Sequence, residues 1–267
     1  MEKTPYIIRG GVEGRERLRI LSRVMRPTTL ALLNRVGVRQ GMACLDVGCG
    51  SGDLAFDLAE IVGPTGRVVG TDFDQVKVEL ARAEAQKRNL TNVEFRFADI
   101  TRDQVAQEFD FVHARFVLTH LPNPDAALAN IFNALRPGGI VAIEDIDFRG
   151  YFSYPESPAV SRYVELYTHT AQCRGADPNI GPRLPALLTA ASFHGVQMNV
   201  VQPAGTTGEV KLISPLTMEA IADAVMTEGL ASHAEIEQLV AELYEFAHSP
   251  GTVGCMPRVV EAWGYRN

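Results

Sequence analysis

Residues 45–52 read LDVGCGSG. The run that leads into them, Ala43–Val47, has the composition of a buried strand, and Ser51–Val62 places Leu54, Leu58 and Ile61 on one helical face. Between them stand Gly48, Gly50 and Gly52. Strand, glycine turn and helix is the setting in which a backbone approaches a nucleotide-like ligand, because glycine turns sharply and has no Cβ to hold the ligand off. A dinucleotide fingerprint, G-x-G-x-x-G, would place its third glycine at position 53, where Asp53 stands instead. Asp46 lies inside the end of the strand. A carboxylate there repels a pyrophosphate and favours a ligand that carries ammonium and sulfonium charge. The phosphate-loop pattern G-x-x-x-x-G-K-[ST] is absent.

Outward from this loop the chain alternates short apolar runs with helical patterns. Gly63 and Pro64 stop the first helix, and Arg67–Thr71 is the second strand. Asp74 is placed to cap a helix to about Arg88, with Val76, Leu80 and Ala83 expected to face inward. Val93–Phe97 alternates as a third strand, a short helix is expected around Asp103–Gln107, and Phe109–Ala114 is the fourth strand. Asn123 and Pro124 open a helix whose apolar face is Leu128, Ile131, Phe132 and Leu135, with Pro137-Gly138-Gly139 expected to end it. Ile140–Ile146 is the fifth strand. This rhythm predicts an α/β fold with a doubly wound, mostly parallel sheet, and a ligand crevice along the C-terminal edge of its strands.

The remainder reads as a helix near Ala159–Cys173, a helical Pro182–Ser192, a strand Val196–Val201, helices at about Thr217–Glu228 and Ser232–His248, and a last strand Arg258–Arg266. Ser232 and Glu235 have the spacing of a capping box. Ahead of the core lies a helix expected over Glu13–Met25. Three regions result: an N-terminal helical cap over 1–38, a ligand-binding core over 39–148, and a remainder of the same domain over 149–267. Helical insertions at about 149–180 and 213–250 would form a lid and an acceptor pocket.

Composition narrows the partners. The chain has 267 residues, 46% hydrophobic and 21% charged, with 25 Lys and Arg against 32 Asp and Glu for a net charge of −7. Nucleic acid is held chiefly by clustered Lys and Arg, and no dense basic run occurs, so a nucleic-acid partner is not expected. Cys44, Cys49, Cys173 and Cys255 are too scattered for a C-x-x-C pair and read as reduced thiols. The opening MEKTPYIIRG lacks a signal-peptide apolar region, and no 18-residue apolar run exists, so a cytoplasmic location without membrane insertion is expected. The six histidines are dispersed, and no metal site is expected.

Two further acids fit the glycine loop. Asp72 ends the second strand 20 residues after Gly52, the separation at which an acid meets adenosine ribose hydroxyls. Asp99, at the end of the third strand, is placed to accept from an adenine amino group, with Ile100 supplying backbone contact. LDVGCGSG, VVGTDFD, FADI, FDFVHARFVLTHLPNP and LRPGGIVAIED together resemble the successive motifs of the class I, Rossmann-like S-adenosylmethionine-dependent methyltransferases, over about residues 30–147. EDIDFRGYFSYP and IGPRLPALLTAASF are more loosely similar to bacterial small-molecule enzymes near the quinone-biosynthesis branch. The resemblance implies a seven-stranded sheet and S-adenosyl-L-methionine as cofactor, with S-adenosyl-L-homocysteine as product. It also implies that Gly48, Gly50 and Gly52 hold the methionine part, Asp72 with Phe73 beside it the ribose, and Asp99 the adenine. His113 and Arg115 would line the methionine part, and Tyr6 and Arg9 would be lid contacts.

No strong catalytic motif is present, in keeping with a reaction that positioning alone can drive. Orientation of two reactants is worth ~7–11 kcal/mol, and a general base adds only about 10²–10⁴-fold. Candidate catalytic residues are Asp147 and Tyr151, where the fifth strand opens, and His120 in THLPNP, which serves either catalysis or a structural hydrogen bond. Asp145, Phe152, Tyr154, His169, Cys173 and Arg183 are weaker candidates near the acceptor. The expected function is methyl transfer to an O, N or C nucleophile of a small-molecule metabolite. The alternatives are a non-catalytic module that binds the donor or its product, a methyltransferase for RNA or protein, and a donor-assisted reaction such as a cyclisation.

Overall fold

The computed structural model describes residues 7–8, 14–103 and 108–267. Tyr6, Arg9 and most of the short helix expected at 103–107 lie outside these residues. In chain order the elements begin with α1 (Arg15–Arg35), β1 (Ala43–Val47), α2 (Asp53–Val62), β2 (Arg67–Asp72), α3 (Gln75–Lys87), β3 (Val93–Phe97) and β4 (Phe109–Arg115). There follow α4 (Pro124–Ala134), β5 (Leu135–Asp147), α5 (Pro158–Cys173), α6 (Leu184–Ala190), β6 (His194–Val201) and β7 (Ala204–Gly205). The last elements are α7 (Ile213–Thr227), α8 (His233–His248), β8 (Gly254–Cys255) and β9 (Arg258–Tyr265).

All five residues of β1 are buried, as a strand covered on both faces must be. Seven strands form one sheet in the order β3-β2-β1-β4-β5-β9-β6, and β7 and β8 pair apart as a small hairpin. Neighbours from β3 through β5 run parallel. Only β9 is reversed against its neighbours, so the sheet is mostly parallel, as expected. The order reverses direction between β1 and β4, and in an open α/β sheet such a switch point opens a crevice beyond the strand C-termini. Leu45, Val47 and Val112 pack with Leu128 and Ile131 of α4 and Leu184 and Leu188 of α6 on one face. Cys44, Val68 and Phe111 pack with Leu54 and Leu58 of α2 and Val78 and Ala81 of α3 on the other.

A third apolar cluster lies over the C-terminal edge. It joins Ile20, Leu21 and Met25 of α1, Tyr163 and Tyr167 of α5, Met218 and Ile221 of α7, and Ile236 and Leu239 of α8 to Ile146 and Phe148 beside β5. The two expected insertions thus meet the N-terminal helix in one layer above the crevice.

Three local expectations are corrected. The first helix does not stop near Met25 but runs through Pro27 to Arg35. Proline inside a helix costs ~3 kcal/mol, and here Leu32 and Leu33, both buried against the sheet, offset that cost. In α3 the inward face is Val78, Ala81 and Ala85, not Val76, Leu80 and Ala83; Val76 is exposed. The Asp74 cap itself forms, its carboxylate accepting from the Val76 and Lys77 N–H groups. Pro137-Gly138-Gly139 lies within β5 rather than after a helix. There the Gly138 N–H donates to the Arg266 carbonyl (2.6 Å), and the Arg266 N–H donates back to Gly139 (2.9 Å).

Candidate functional site

The glycine turn between β1 and α2 has positive φ at Gly48 (68°), Gly50 (55°) and Gly52 (86°). A Cβ on Gly48 would lie 2.5 Å from Val117 Cγ2, and one on Gly52 would lie 2.7 Å from the Phe95 ring. Both positions therefore exclude a side chain, for different reasons. Gly48 and Gly50 line a cavity that runs from the glycine turn to the helical layer. Gly52 does not line it. Its role is packing: it lets the start of α2 sit against Phe95, an edge-on partner of Phe56 with ring centroids 5.6 Å apart.

Asp72 closes β2 beside this turn. One carboxylate oxygen accepts from the Gly50 N–H (2.9 Å) and the other from the Asp74 N–H (2.9 Å). Burial raises its pKa above the usual carboxylate range, against the opposing pull of Lys77 and of those two N–H groups. Each oxygen keeps acceptor capacity toward the cavity. Phe73, exposed at the rim, carries the Lys77 ammonium 5.9 Å from its ring centre. Asp99 lines the far end with Ile100, one oxygen accepting from the Thr101 N–H (2.9 Å) and hydroxyl (2.6 Å). Asp46, Asp53, Asp72 and Asp99 thus ring one half of the cavity.

Beneath the turn, His113 corrects an expectation. It is fully buried and does not line the cavity. One ring nitrogen lies 3.3 Å from Asp46 and the other 3.0 Å from Glu144. Burial alone would lower the imidazole pKa, but the two carboxylates outweigh it and raise it. Glu144 accepts from the Thr29 hydroxyl as well (2.8 Å). Burial pushes its pKa up, and His113, Arg115 and Thr29 together hold it below the usual range. Arg115 lines the cavity and donates to Thr29 (3.0 Å). The histidine is therefore a tie between β1, β4 and β5, set under the acid that faces the cavity.

Two catalytic candidates are also corrected. Asp147 is buried outside the cavity, ion-paired with Arg149 (2.8 Å) and with Arg258 across the β5–β9 pair. Burial would raise its pKa, but the two guanidinium groups depress it. The Tyr151 hydroxyl shares a hydrogen bond with the Ser214 hydroxyl (2.5 Å), also outside the cavity, and burial pushes its pKa well up. Asp145 is fully buried, accepts the Thr119 and Ile146 N–H groups, and is pushed by burial to about 7. Arg183 is paired with Asp177 on the surface (2.7 Å), and Cys173 is exposed. Side chains alternate along a strand, and on β5 it is Ile146, not Asp145 or Asp147, that meets the cavity. His120 does line it. Burial, with Arg17 and Lys77 nearby, lowers its pKa to about 3, so the ring is neutral at neutral pH.

The second half of the cavity is built largely from residues that the sequence reading passed over. Arg17, Leu18 and Leu21 come from α1, Tyr163 and Tyr167 from α5, and Ile213 and Thr217 from α7. Phe148 stacks on Tyr167 with ring centres 4.1 Å apart and planes 6° from parallel. The signal was the i, i+4 spacing of Tyr163 and Tyr167, which puts both rings on one face of α5. Ile8, ahead of α1, lines the cavity too. Among the described residues, no group of three or more His, Cys, Asp or Glu is placed to hold a metal ion.

A family model described as "Methyltransferase domain" matches residues 39–177. A demethylmenaquinone methyltransferase of Lactococcus lactis is 35% identical over 137 residues, 51% of this chain and 52% of that protein. The nocamycin O-methyltransferase of Saccharothrix syringae is 39% identical over 119 residues, 44% and 42% of the two chains. The chain spans about half the length of these curated relatives. Among solved structures, the YcgJ protein from Bacillus subtilis superposes with a TM-score of 0.56 at 16% identity, covering 89% of this chain and 97% of that one. That likeness concerns the fold alone. The acid-ringed glycine turn, the sheet order and the family match agree: the chain belongs to the methyltransferase-domain family, as a class I, Rossmann-like, S-adenosylmethionine-dependent member.

Proposed function

We propose that the chain transfers a methyl group from S-adenosyl-L-methionine to an O, N or C nucleophile of a small-molecule acceptor. In this reading 39–148 hold the donor, while 1–38 and the insertions at about 149–180 and 213–250 build the acceptor compartment. One observation carries it: a single cavity joins the acid-ringed glycine turn to an apolar, aromatic chamber under the helical layer. Similarity to the demethylmenaquinone and nocamycin methyltransferases supports a small-molecule acceptor. The net charge of −7 supports one that is not nucleic acid.

The chemistry of the donor set fits the cofactor. Gly48 and Gly50 leave room for the methionine part, Asp46 and its neighbours favour its positive charge, Asp72 suits two ribose hydroxyls, and Asp99 with Ile100 suits the adenine. When bound, the cofactor supplies an electrophilic methyl group on a sulfonium. The chain's own contribution is positioning: Asp72 is fixed by two backbone N–H groups, and Arg115 is fixed through Thr29 to the strand network. Helices α1, α5 and α7 contribute apolar side chains to its walls, and a lower local dielectric strengthens electrostatic contacts there.

The test is turnover of methyl-labelled donor against a panel of phenols, enols, amines and carboxylates. Labelled product from at least one class is expected. Tight binding of S-adenosyl-L-homocysteine with no product across the panel would replace methyl transfer with donor binding alone.

A further inference from the structure

The two edges of the sheet are built differently. On β3, Arg96 pairs with Glu94 (2.7 Å), and Arg82 donates two N–H groups to the Phe95 carbonyl (2.9 and 2.8 Å). Charged side chains and covered backbone groups are the means by which an edge strand avoids pairing with another chain. The β6 edge lacks such charges. From Leu184 to Gly208, through α6 and β6, no Asp, Glu, Lys or Arg occurs, in a chain that is 21% charged. No residue of β6 is buried, and Met198 and Val200 are each 47% exposed. A register shift between His194 and Gln197 leaves Gln197 to Val201 in regular pairing with β9. Backbone direction follows from β9. Arg266 donates to Gly139 and accepts from Gly138, so its polar groups face β5. Direction alternates along an antiparallel strand, and Glu261 and Trp263 therefore face β6, where their partners are Asn199 and Gln197. The N–H and C=O groups of Met198 and Val200 point the other way, off the edge of the sheet.

Around Met198 the strand is its own complement. Val196-Gln197-Met198-Asn199-Val200 reads apolar, amide, apolar, amide, apolar in either direction. An antiparallel copy centred on Met198 sets Met198 opposite itself, Val196 opposite Val200, and the Gln197 amide opposite the Asn199 amide. Asn199 Nδ2 donates to Glu261 (2.8 Å), which leaves the Asn199 oxygen to accept from Gln197. A patch that matches itself is what a two-fold interface requires. The neutrality of α6 and β6 lets two chains of net charge −7 meet there without like charges face to face. We propose that β6 pairs with β6 of a second copy of this chain, antiparallel about Met198, joining two seven-stranded sheets into one. Pairing at Val196, Met198 and Val200 makes about six backbone hydrogen bonds. At about one bond per 100–200 Å² the interface lies at the small end for a specific contact, so the dimer is reversible, with a dissociation constant on the order of 10 μM. No β6 residue lines the cavity. Because β9 is antiparallel to both β5 and β6, β6 runs with the parallel strands, and the two cavities of the dimer open at opposite ends.

Sedimentation velocity of the full chain, over concentrations from well below to well above that constant, reads the state directly. The wild type is expected to pass from the mass of one chain to that of two. Met198→Lys puts two ammonium groups face to face and is expected to stay monomeric, as is Met198→Glu, because like charges directly opposite one another repel. Mixed in equal amounts, Met198→Lys and Met198→Glu should associate about tenfold or more tighter than either does alone. Met198→Pro removes the outward N–H while keeping the bonds to β9, and should weaken association by about tenfold. A cooperative melt close to that of the wild type at low concentration reports that a variant is folded. One that fails this is replaced by Val200→Lys, which sets a charge against Val196 of the other copy and is expected to weaken association as well. A wild type that stays monomeric throughout, a dimer that persists undiminished in Met198→Lys, or an equal mixture of Met198→Lys and Met198→Glu that does not associate overturns the proposal.

Discussion

At the scale of single residues, the donor half turns on Asp72 and the glycines. Asp72 accepts from Gly50 and Asp74 and keeps lone pairs toward the cavity. Asp72→Ala should weaken S-adenosyl-L-homocysteine binding by ten- to hundredfold in calorimetry, since hydrogen bonds to a charged group contribute about 1.5–3 kcal/mol. Unchanged affinity would remove Asp72 from the site. Gly52 presents the opposite case: it has φ 86° and a virtual Cβ in the Phe95 ring, but no face on the cavity. Gly52→Ala should cost about 1–3 kcal/mol of stability through backbone strain, read in chemical denaturation. If the change instead spared stability and lowered only donor affinity, the packing role would be wrong. Both residues were legible in LDVGCGSG and VVGTDFD. The difference in their roles was not, because it depends on Phe95, an aromatic from a strand more than forty residues away.

At the scale of elements, the tie between β1, β4 and β5 is the His113 bridge from Asp46 to Glu144. His113→Leu leaves two buried carboxylates without their partner and should cost about 3–5 kcal/mol. The pH dependence has a definite sign. The folded-state pKa of His113 is raised from 6.5, so its contribution is fully present below about 6.5 and is lost as pH rises through the folded value. The melting temperature of the wild type should therefore fall on passing from neutral into alkaline solution, and His113→Gln should show a shallower slope. Equal slopes would discount the bridge as a titrating tie. The strand pattern itself was readable: the short runs that became β1, β2 and β4 are rich in apolar residues and almost wholly buried. Facing was not. The inward face of α3 falls on Val78, Ala81 and Ala85 rather than on Val76, Leu80 and Ala83, and Asp147 is held by Arg258, a pairing that exists only because β9 returns antiparallel beside β5.

At the scale of the whole molecule, the cavity is covered by α1 from the first part of the chain and by α5 and α7 from its second half. Ile20, Leu21 and Met25 of α1 share one cluster with α5, α7 and α8, while Leu32 and Leu33 of the same helix are packed on the sheet. A ligand lodged between turn and helices should therefore stiffen both. At a hundredfold excess over its dissociation constant, S-adenosyl-L-homocysteine should add about 2.7 kcal/mol of stability. Amide exchange should slow in α1 and α2 together, measured by mass spectrometry. Protection confined to α2 and the strand ends would mean that the helical layer takes no part in donor binding.

Short-range pattern carries the glycine turn that only residues without a Cβ can make, the acids at strand ends, the caps at Asp74 and Ser232, and the succession of strands and helices that yields a mostly parallel sheet. Only the packing of distant elements builds the aromatic half of the cavity. Arg17, Tyr163 and Thr217 lie on three separate helices, and each reads in isolation as an ordinary surface or core residue; of the residues around them only His120 stood out in the sequence. The helical layer over the strand ends brings them to one cavity, and no local pattern encodes which distant faces will share a wall.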